Sequence, residues 1–175
     1  MKIAVIGLGF VGLSLASVLS ANGTKVIGID INKEKYKKIS NGVTPFFEKD
    51  LEKTLQKGLK NKLEISNEVS RIKTCDYIFV TVGTPQKSDG SIELSMIKKV
   101  VNTIGNNLNK NQIIFIKSTV IPGTIKNSLL PILEKKSGMK AGKDFGLISN
   151  PEFLQESSAI KDTKFPHAVV LGGYK

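Results

Sequence analysis

Residues 1–30 read MKIAVIGLGFVGLSLASVLSANGTKVIGID. Met1 to Ile6 is an apolar run of strand length. Gly7-Leu8-Gly9-Phe10-Val11-Gly12 follows at once and opens an apolar helical stretch to Ala21. Lys25 to Ile29 is a second apolar strand, and it ends in Asp30. Strand, glycine turn, helix, strand and acid in this order predict a dinucleotide-binding βαβ unit. Gly7 takes the tight turn, Gly9 leaves room for a diphosphate, and Gly12 lets the helix approach the sheet. The amino end of the helix offers free N–H groups and a positive dipole to the phosphates. Asp30, 18 residues after Gly12, is placed to accept ribose hydroxyls and to repel a 2′-phosphate, which favours NAD over NADP. Lys33 and Lys35 are nearby cations that pull the other way.

Outward from this unit, strands and helices keep alternating. Asn32 is a candidate cap for a helix to Ser40, and Thr44-Pro45 breaks it. Glu48 to Lys57 has helical spacing through Leu51, Leu55 and Leu59. Leu63–Ile65 is a short strand, 68–73 a short helix, and Tyr77–Val82 a continuous apolar strand that ends at Gly83-Thr84-Pro85. Leu94 to Leu108 is amphipathic, and Ile113–Ile116 is a buried strand. Ile121-Pro122-Gly123 turns into a helix that Pro131 kinks or restarts. Phe145–Ile148 and Ala168–Leu171 are the last strand candidates. The predicted fold is α/β: a Rossmann-type doubly wound, mostly parallel sheet, with 1–175 as one nucleotide-binding domain. Such sheets bind ligands beyond the carboxyl ends of their strands. That geometry singles out Gly7–Gly12, Asp30, Gly83–Pro85, Ser118-Thr119 and Asn150-Pro151-Glu152.

Composition sets bounds. The chain has 175 residues, 40% of them hydrophobic and 23% charged, as in ordinary globular proteins. No apolar run reaches the ~20 residues of a membrane span, and the start does not read as a signal peptide. One cysteine, Cys75, leaves no internal disulfide and fits a reducing, cytoplasmic setting. With His167 as the single histidine, a zinc site of the usual N/S kind is not expected. The net charge of +11 comes almost wholly from lysine, with Arg71 the only arginine. The lysines are spread along solvated faces, so they predict attraction for an anionic cofactor and substrate rather than nucleic-acid reading.

Five segments resemble the UDP-glucose/GDP-mannose dehydrogenase family, specifically its N-terminal NAD-binding domain: IGLGFVGL at 6–13, GIDIN at 28–32, VGTPQKSDGSIELS at 82–95, KSTVIPGT at 117–124 and SNPEFLQESSAIKD at 149–162. The last two are far more specific than the glycine pattern. The resemblance implies oxidation of the C6 alcohol of a nucleotide-linked hexose to the carboxylate with two NAD, through an aldehyde held on a cysteine thiolate. It implies cofactor contacts from Phe10, Val11, Asp30, Lys35, Val82, Gly83, Thr84, Pro85, Ser118, Thr119 and Glu156. It implies catalytic roles for Thr119 and Glu152, and substrate contacts from Glu152, Phe153, Leu154 and Glu156. If 152–156 is helical, the two carboxylates share a face and their repulsion pushes one pKa up, which suits base work. Read without the resemblance, Ser118 and Thr119 cap a turn, and Glu152 and Glu156 are a solvated face.

The departures also carry information. The family's thiol segment and the long helix before it are not in these 175 residues, and Cys75 precedes a strand where the family has no catalytic group. The chain is therefore expected to be the cofactor domain of a longer enzyme and inactive alone. Family members usually dimerise through that helix, so a homodimer is expected of the full length and a monomer of this part. Many members have an arginine where Ala168 stands, and Glu93 replaces a common aspartate. VGTP and DGS lean towards UDP-glucose, which is the expected substrate; STVIPGT and ESSAIKD look equally like the GDP-mannose branch, so GDP-mannose or UDP-N-acetylmannosamine is the alternative within the family. A free-standing NAD-binding module and another two-domain dehydrogenase are the competing readings.

Overall fold

The computed structural model describes residues 1–173. Its elements run β1 (Lys2–Ile6), α1 (Phe10–Ala21), β2 (Lys25–Ile29), α2 (Lys33–Ser40), α3 (Leu51–Asn61), β3 (Leu63–Ser66), a 3-10 turn (Val69–Thr74) and β4 (Tyr77–Val80). Then come α4 (Ser95–Gly105), β5 (Ile113–Ile116), a π-helical turn (Ile125–Leu129), α5 (Leu130–Ser137), β6 (Gly146–Ser149), α6 (Ala159–Lys164) and β7 (Gly172–Gly173). The strands form one sheet in the order β3-β2-β1-β4-β5-β6-β7. Every pairing is parallel except β6 with β7. This is the doubly wound order, and its direction reverses between β1 and β4, where such sheets open a crevice.

Strand alternation divides the core. Ile3 and Val5 of β1 pack with Leu13, Ala16, Leu51 and Leu55 on the α1–α3 face. Ala4 and Ile6 pack with Ile97, Val101, Ile104 and Leu133 on the α4–α5 face. A strand buried on both faces has to be apolar at every position, and β1, β2 and β4 are nearly so. Pro131 falls in the first turn of α5, so it restarts the helix after the π turn rather than kinking one.

Three expectations need correction. Helix α3 begins at Leu51, not Glu48; Asp50 has φ 62°, and that left-handed turn stops the helix extending backwards. The strand expected to reach Val82 stops at Val80, because the Thr81 hydroxyl turns to the carbonyls of Ile6 and Gly7, at 2.9 and 2.8 Å. Ala168–Leu171 is not a strand. Val169, Val170 and Leu171 are exposed, with no second layer to bury an apolar face, and among the described residues the ladder with β6 forms at Gly172–Gly173, antiparallel.

The register fixes the site. Ile6 is level with Ile29 and Val80, Val80 with Ile116, and Ile116 with Ser149. Gly7, Asp30, Thr81, Lys117 and Asn150 therefore emerge side by side, one residue past the ladder.

Candidate functional site

The glycine turn is shaped by packing on one side and open on the other. Gly7 has φ +95°, and a Cβ there would lie 2.8 Å from Val82 Cγ1. A Cβ on Gly12 would lie 1.9 Å from the Gly7 carbonyl oxygen and 2.4 Å from Thr81 Oγ1. A Cβ on Gly9 would meet nothing within 4 Å. Gly9 is the N-cap of α1; no side chain bonds to this end, and the first turn carries no acid. The first intrahelical bond runs from Leu13 N–H to the Gly9 carbonyl. The N–H groups of the first turn thus face open space with the helix dipole behind them, which suits an anionic diphosphate.

Asp30 closes the end of β2 and is buried at 8% exposure. Its Oδ2 accepts from Leu8 N–H at 2.9 Å and from Lys35 Nζ at 3.1 Å; its Oδ1 accepts from Asn32 N–H at 3.0 Å. Asn32 caps α2 through Lys35 N–H, and this brings the Lys35 side chain back over Asp30. Lys35 is thus paired with the carboxylate and is not a loose cation awaiting a phosphate. A carboxylate has about four acceptor positions, so Asp30 keeps room for a ribose hydroxyl.

Across the switch point, the loops after β4 and β5 are tied together. Thr84 Oγ1 donates to the Thr119 carbonyl at 2.6 Å, and Ser118 Oγ donates to the Val82 carbonyl at 2.6 Å. Both Lys117 N–H and Ser118 N–H bond to the Val80 carbonyl. The buried Ser118 hydroxyl is engaged within the protein, whereas Thr119 is exposed. Val82 is buried beneath the loop, Thr84 is half-buried, and Gly83 and Pro85 stand at its surface.

The next segment departs from expectation. Residues 151–158 are irregular and α6 starts only at Ala159, so Glu152 and Glu156 do not share a helical face. Pro151 and the left-handed Ser157, φ 69°, break helix geometry at both ends. Glu152 instead folds onto its own turn, with Oε2 accepting from Leu154 N–H at 2.6 Å. Glu156 is exposed. A cleft of about 440 Å³ lies between α1 and this segment, with Val11, Lys117, Asn150, Phe153, Leu154 and His167 in its lining. Gly9, Asp30 and Thr84 stand outside that lining, so the cleft adjoins the glycine turn without including it.

Four residues that the sequence reading left without a role matter here. Thr81 clamps the glycine turn; its one signal was a hydroxyl inside an apolar run. Lys117 reaches Asn150 Oδ1 at 3.5 Å, and Asn150 Nδ2 donates to the Val170 carbonyl at 3.0 Å. Burial pushes the Lys117 ammonium below the ordinary lysine value, and the Glu152 carboxylate pulls it partly back. Glu48, expected on a helix face, is buried outside any helix and bonds to residues 157 and 159. Cys75 is buried at the opposite end of β4, in the core. Among the described residues no group of three or more His, Cys, Asp and Glu could hold a metal. Among the described residues no helix is long and apolar enough to cross a membrane.

Comparison with known proteins places this geometry. The profile of the UDP-glucose/GDP-mannose dehydrogenase family, NAD binding domain, matches residues 1–175. GDP-mannose 6-dehydrogenase of Pseudomonas syringae pv. tomato is 45% identical over 99% of this chain and 41% of its own length. The UDP-glucose 6-dehydrogenase TuaD of Bacillus subtilis is 40% identical over 98% of this chain and 37% of its own. The crystal structure of a ternary complex of GDP-mannose dehydrogenase from Pseudomonas aeruginosa superimposes with a TM-score of 0.96 at 40% identity, covering 99% of this chain and 41% of that one. The chain thus spans about two fifths of the length of these relatives. A doubly wound sheet, an uncapped glycine turn and an acid closing β2 are what such a coenzyme domain requires, and the chain belongs to the UDP-glucose/GDP-mannose dehydrogenase family, as its NAD-binding domain.

Proposed function

We propose that the complete protein is an NAD-dependent nucleotide-sugar 6-dehydrogenase and that residues 1–175 hold its coenzyme and part of its reacting centre. One observation carries this reading. The glycine turn that opens α1, the Asp30 carboxylate, Lys117 and Asn150 emerge in one row at the carboxyl edge of the sheet, with Glu152 two residues beyond Asn150. A nicotinamide coenzyme held by these residues would supply the hydride acceptor. The chain's residues do the rest. Gly7 makes the turn, its own N–H given to the Ile29 carbonyl, and Gly9, Phe10, Val11 and Gly12 present backbone N–H groups to the diphosphate. Asp30, steadied by Lys35, accepts from the ribose. Val82, Gly83, Thr84 and Pro85 with Ser118 and Thr119 wall the far side of the crevice. Thr119, exposed beside it, positions the substrate hydroxyl or an ordered water. Glu152 takes the proton from that oxygen, and Phe153, Leu154 and Glu156 meet the substrate.

GDP-mannose is the favoured sugar nucleotide. The similarity to the Pseudomonas GDP-mannose 6-dehydrogenase, 45%, against 40% to the Bacillus UDP-glucose enzyme, supports this choice over the UDP-glucose that VGTP and DGS suggested. A screen of GDP-mannose, UDP-glucose and UDP-N-acetylmannosamine on the complete gene product, reading NADH absorbance, tests both levels. The expected result is two NADH per sugar nucleotide, fastest with GDP-mannose. NADH binding by residues 1–175 with no turnover of any sugar nucleotide by the complete protein overturns the enzymatic reading.

A further inference from the structure

Glu48 is 6% exposed and sits on the loop between α2 and α3. Its Oε2 accepts from Ser157 N–H at 2.9 Å and its Oε1 from Ala159 N–H at 3.1 Å, residues 109 and 111 positions away. Both oxygens of a buried carboxylate are thereby committed to the backbone of one remote segment, in charge-assisted bonds. A local cap would have sufficed for α6. Ser158, its N-cap, instead gives its hydroxyl to Asp162 at 2.6 Å, and Glu48 does the capping from across the fold.

The segment so held carries Glu152 and Glu156. At its near end, Asn150 is fixed by its N–H to the Ile116 carbonyl at 2.9 Å and by its side chain to Val170. At its far end it is fixed by Glu48. Between these anchors the backbone is irregular; Leu154 N–H bonds to Glu152 Oε2 and Gln155 N–H to Asp162 Oδ2 at 3.1 Å, so where Glu152 stands depends on how the turn and α6 are held against the rest of the fold. The loop that supplies Glu48 is itself braced. Phe46 packs on Phe10 with ring centroids 5.9 Å apart, and Gln56 Nε2 donates to the Gly42 carbonyl at 3.3 Å. Phe10 opens α1 at the coenzyme cradle, so one loop touches the cradle and pins the acid-bearing segment.

We infer that Glu48 is a positioning residue, holding the 150–158 segment so that Glu152 meets the reacting oxygen. The inference rests on the proposed role of Glu152. A positioning group needs a rigid support and acts through the group it places, so its loss lowers turnover while coenzyme affinity survives.

The test is Glu48→Gln and Glu48→Asp in the complete gene product, with hydrogen exchange on residues 1–175. The amide keeps shape but turns an N–H₂ towards a backbone N–H. It is expected to lower kcat by about 10- to 100-fold, with KM for NAD within about two-fold of wild type. Asp, charged but one methylene short, recovers part of that loss. In a Glu152→Gln background, Glu48→Gln costs little more. Exchange of Glu48→Gln quickens over 153–160 and stays slow in β1 and β4. If Glu48→Gln does not fold, Glu48→Asp alone gives the kcat and KM split. A lowered Tm with unchanged kcat, or additive losses in the double variant, overturns the inference. Wild-type protein that turns over no nucleotide sugar defeats the functional reading and this role with it; the exchange arm still reports whether the clamp exists.

Discussion

Gly9→Ala and Gly12→Ala are a single added methyl each, three residues apart, and the structure demands opposite outcomes. At Gly12 the methyl carbon would lie 1.9 Å from the Gly7 carbonyl oxygen, against the 3.0 Å that real Cβ atoms respect. The amino end of α1 must back away from the turn by about 1.1 Å, and Thr81 Oγ1 at 2.4 Å blocks the easy direction. Overpacking of this kind costs about 3 kcal/mol, the upper part of the usual range. For a chain of this size that lowers Tm by roughly 6–12 °C. At Gly9 the backbone, φ −77° and ψ −162°, is one any residue adopts, and the methyl meets nothing. A smaller unfolded-state entropy offsets the weaker N-cap, so Tm stays within about 2 °C of wild type. The methyl nonetheless fills the space assigned to the diphosphate, and NADH affinity is expected to fall at least about 10-fold. Thermal denaturation and NADH fluorescence titration of the same two preparations decide it. Wild-type affinity in Gly9→Ala refutes the placement of the diphosphate. Equal stability of the two variants refutes the packing argument.

Three more expectations follow from buried polar groups. Burial lowers the Lys117 pKa below its ordinary 10.5, so the unfolded chain holds that proton more tightly than the native one. Native stability is penalised at neutral pH, and the penalty lifts as pH rises from the lowered value towards 10.5; Lys117→Met is expected to raise Tm at pH 7 by an amount that shrinks over that window in a pH series. Gln112, 4% exposed, donates to the carbonyls of Ile72 and Cys75 at 2.7 and 2.6 Å and accepts from Asn109 N–H at 2.7 Å. Gln112→Ala strands the Cys75 carbonyl and the Asn109 N–H, leaves the Ile72 carbonyl only its bond from Cys75 N–H, and is expected to cost at least about 2 kcal/mol, a Tm drop of roughly 4–8 °C by calorimetry. Burial also pushes the Cys75 thiol up, so it should ignore a disulfide reagent in the native protein and react fully in denaturant.

The strands and the cofactor turn were legible in the sequence because local pattern dictates them. A continuous apolar run leaves β1 no alternative to a doubly covered strand, and the glycine spacing is written in consecutive residues. Glu48 was not legible, because its partners stand 109 and 111 residues away and its place just before Leu51 reads equally well as a helix start. Glu152 and Glu156 have helical spacing, but the backbone between Pro151 and the left-handed Ser157 is irregular, and no residue type announces that left-handed turn. Ala168–Leu171 has strand composition, but composition does not reveal that no layer covers it. Lys117 lay inside a quoted motif, yet the sequence does not disclose that β5 and β6 are neighbours, and its meeting with Asn150 depends on that.

The shared register of β1, β2, β4, β5 and β6 has an engineering consequence. Each loop that bears a candidate group leaves its strand at the same height, so the ladder itself serves as the ruler for the whole crevice. Exchanging one loop for another of different chemistry leaves the starting points of the other four where they were. A one-residue deletion within any strand would instead carry its loop out of the row, which makes the loops, and not the strands, the natural units for redesign.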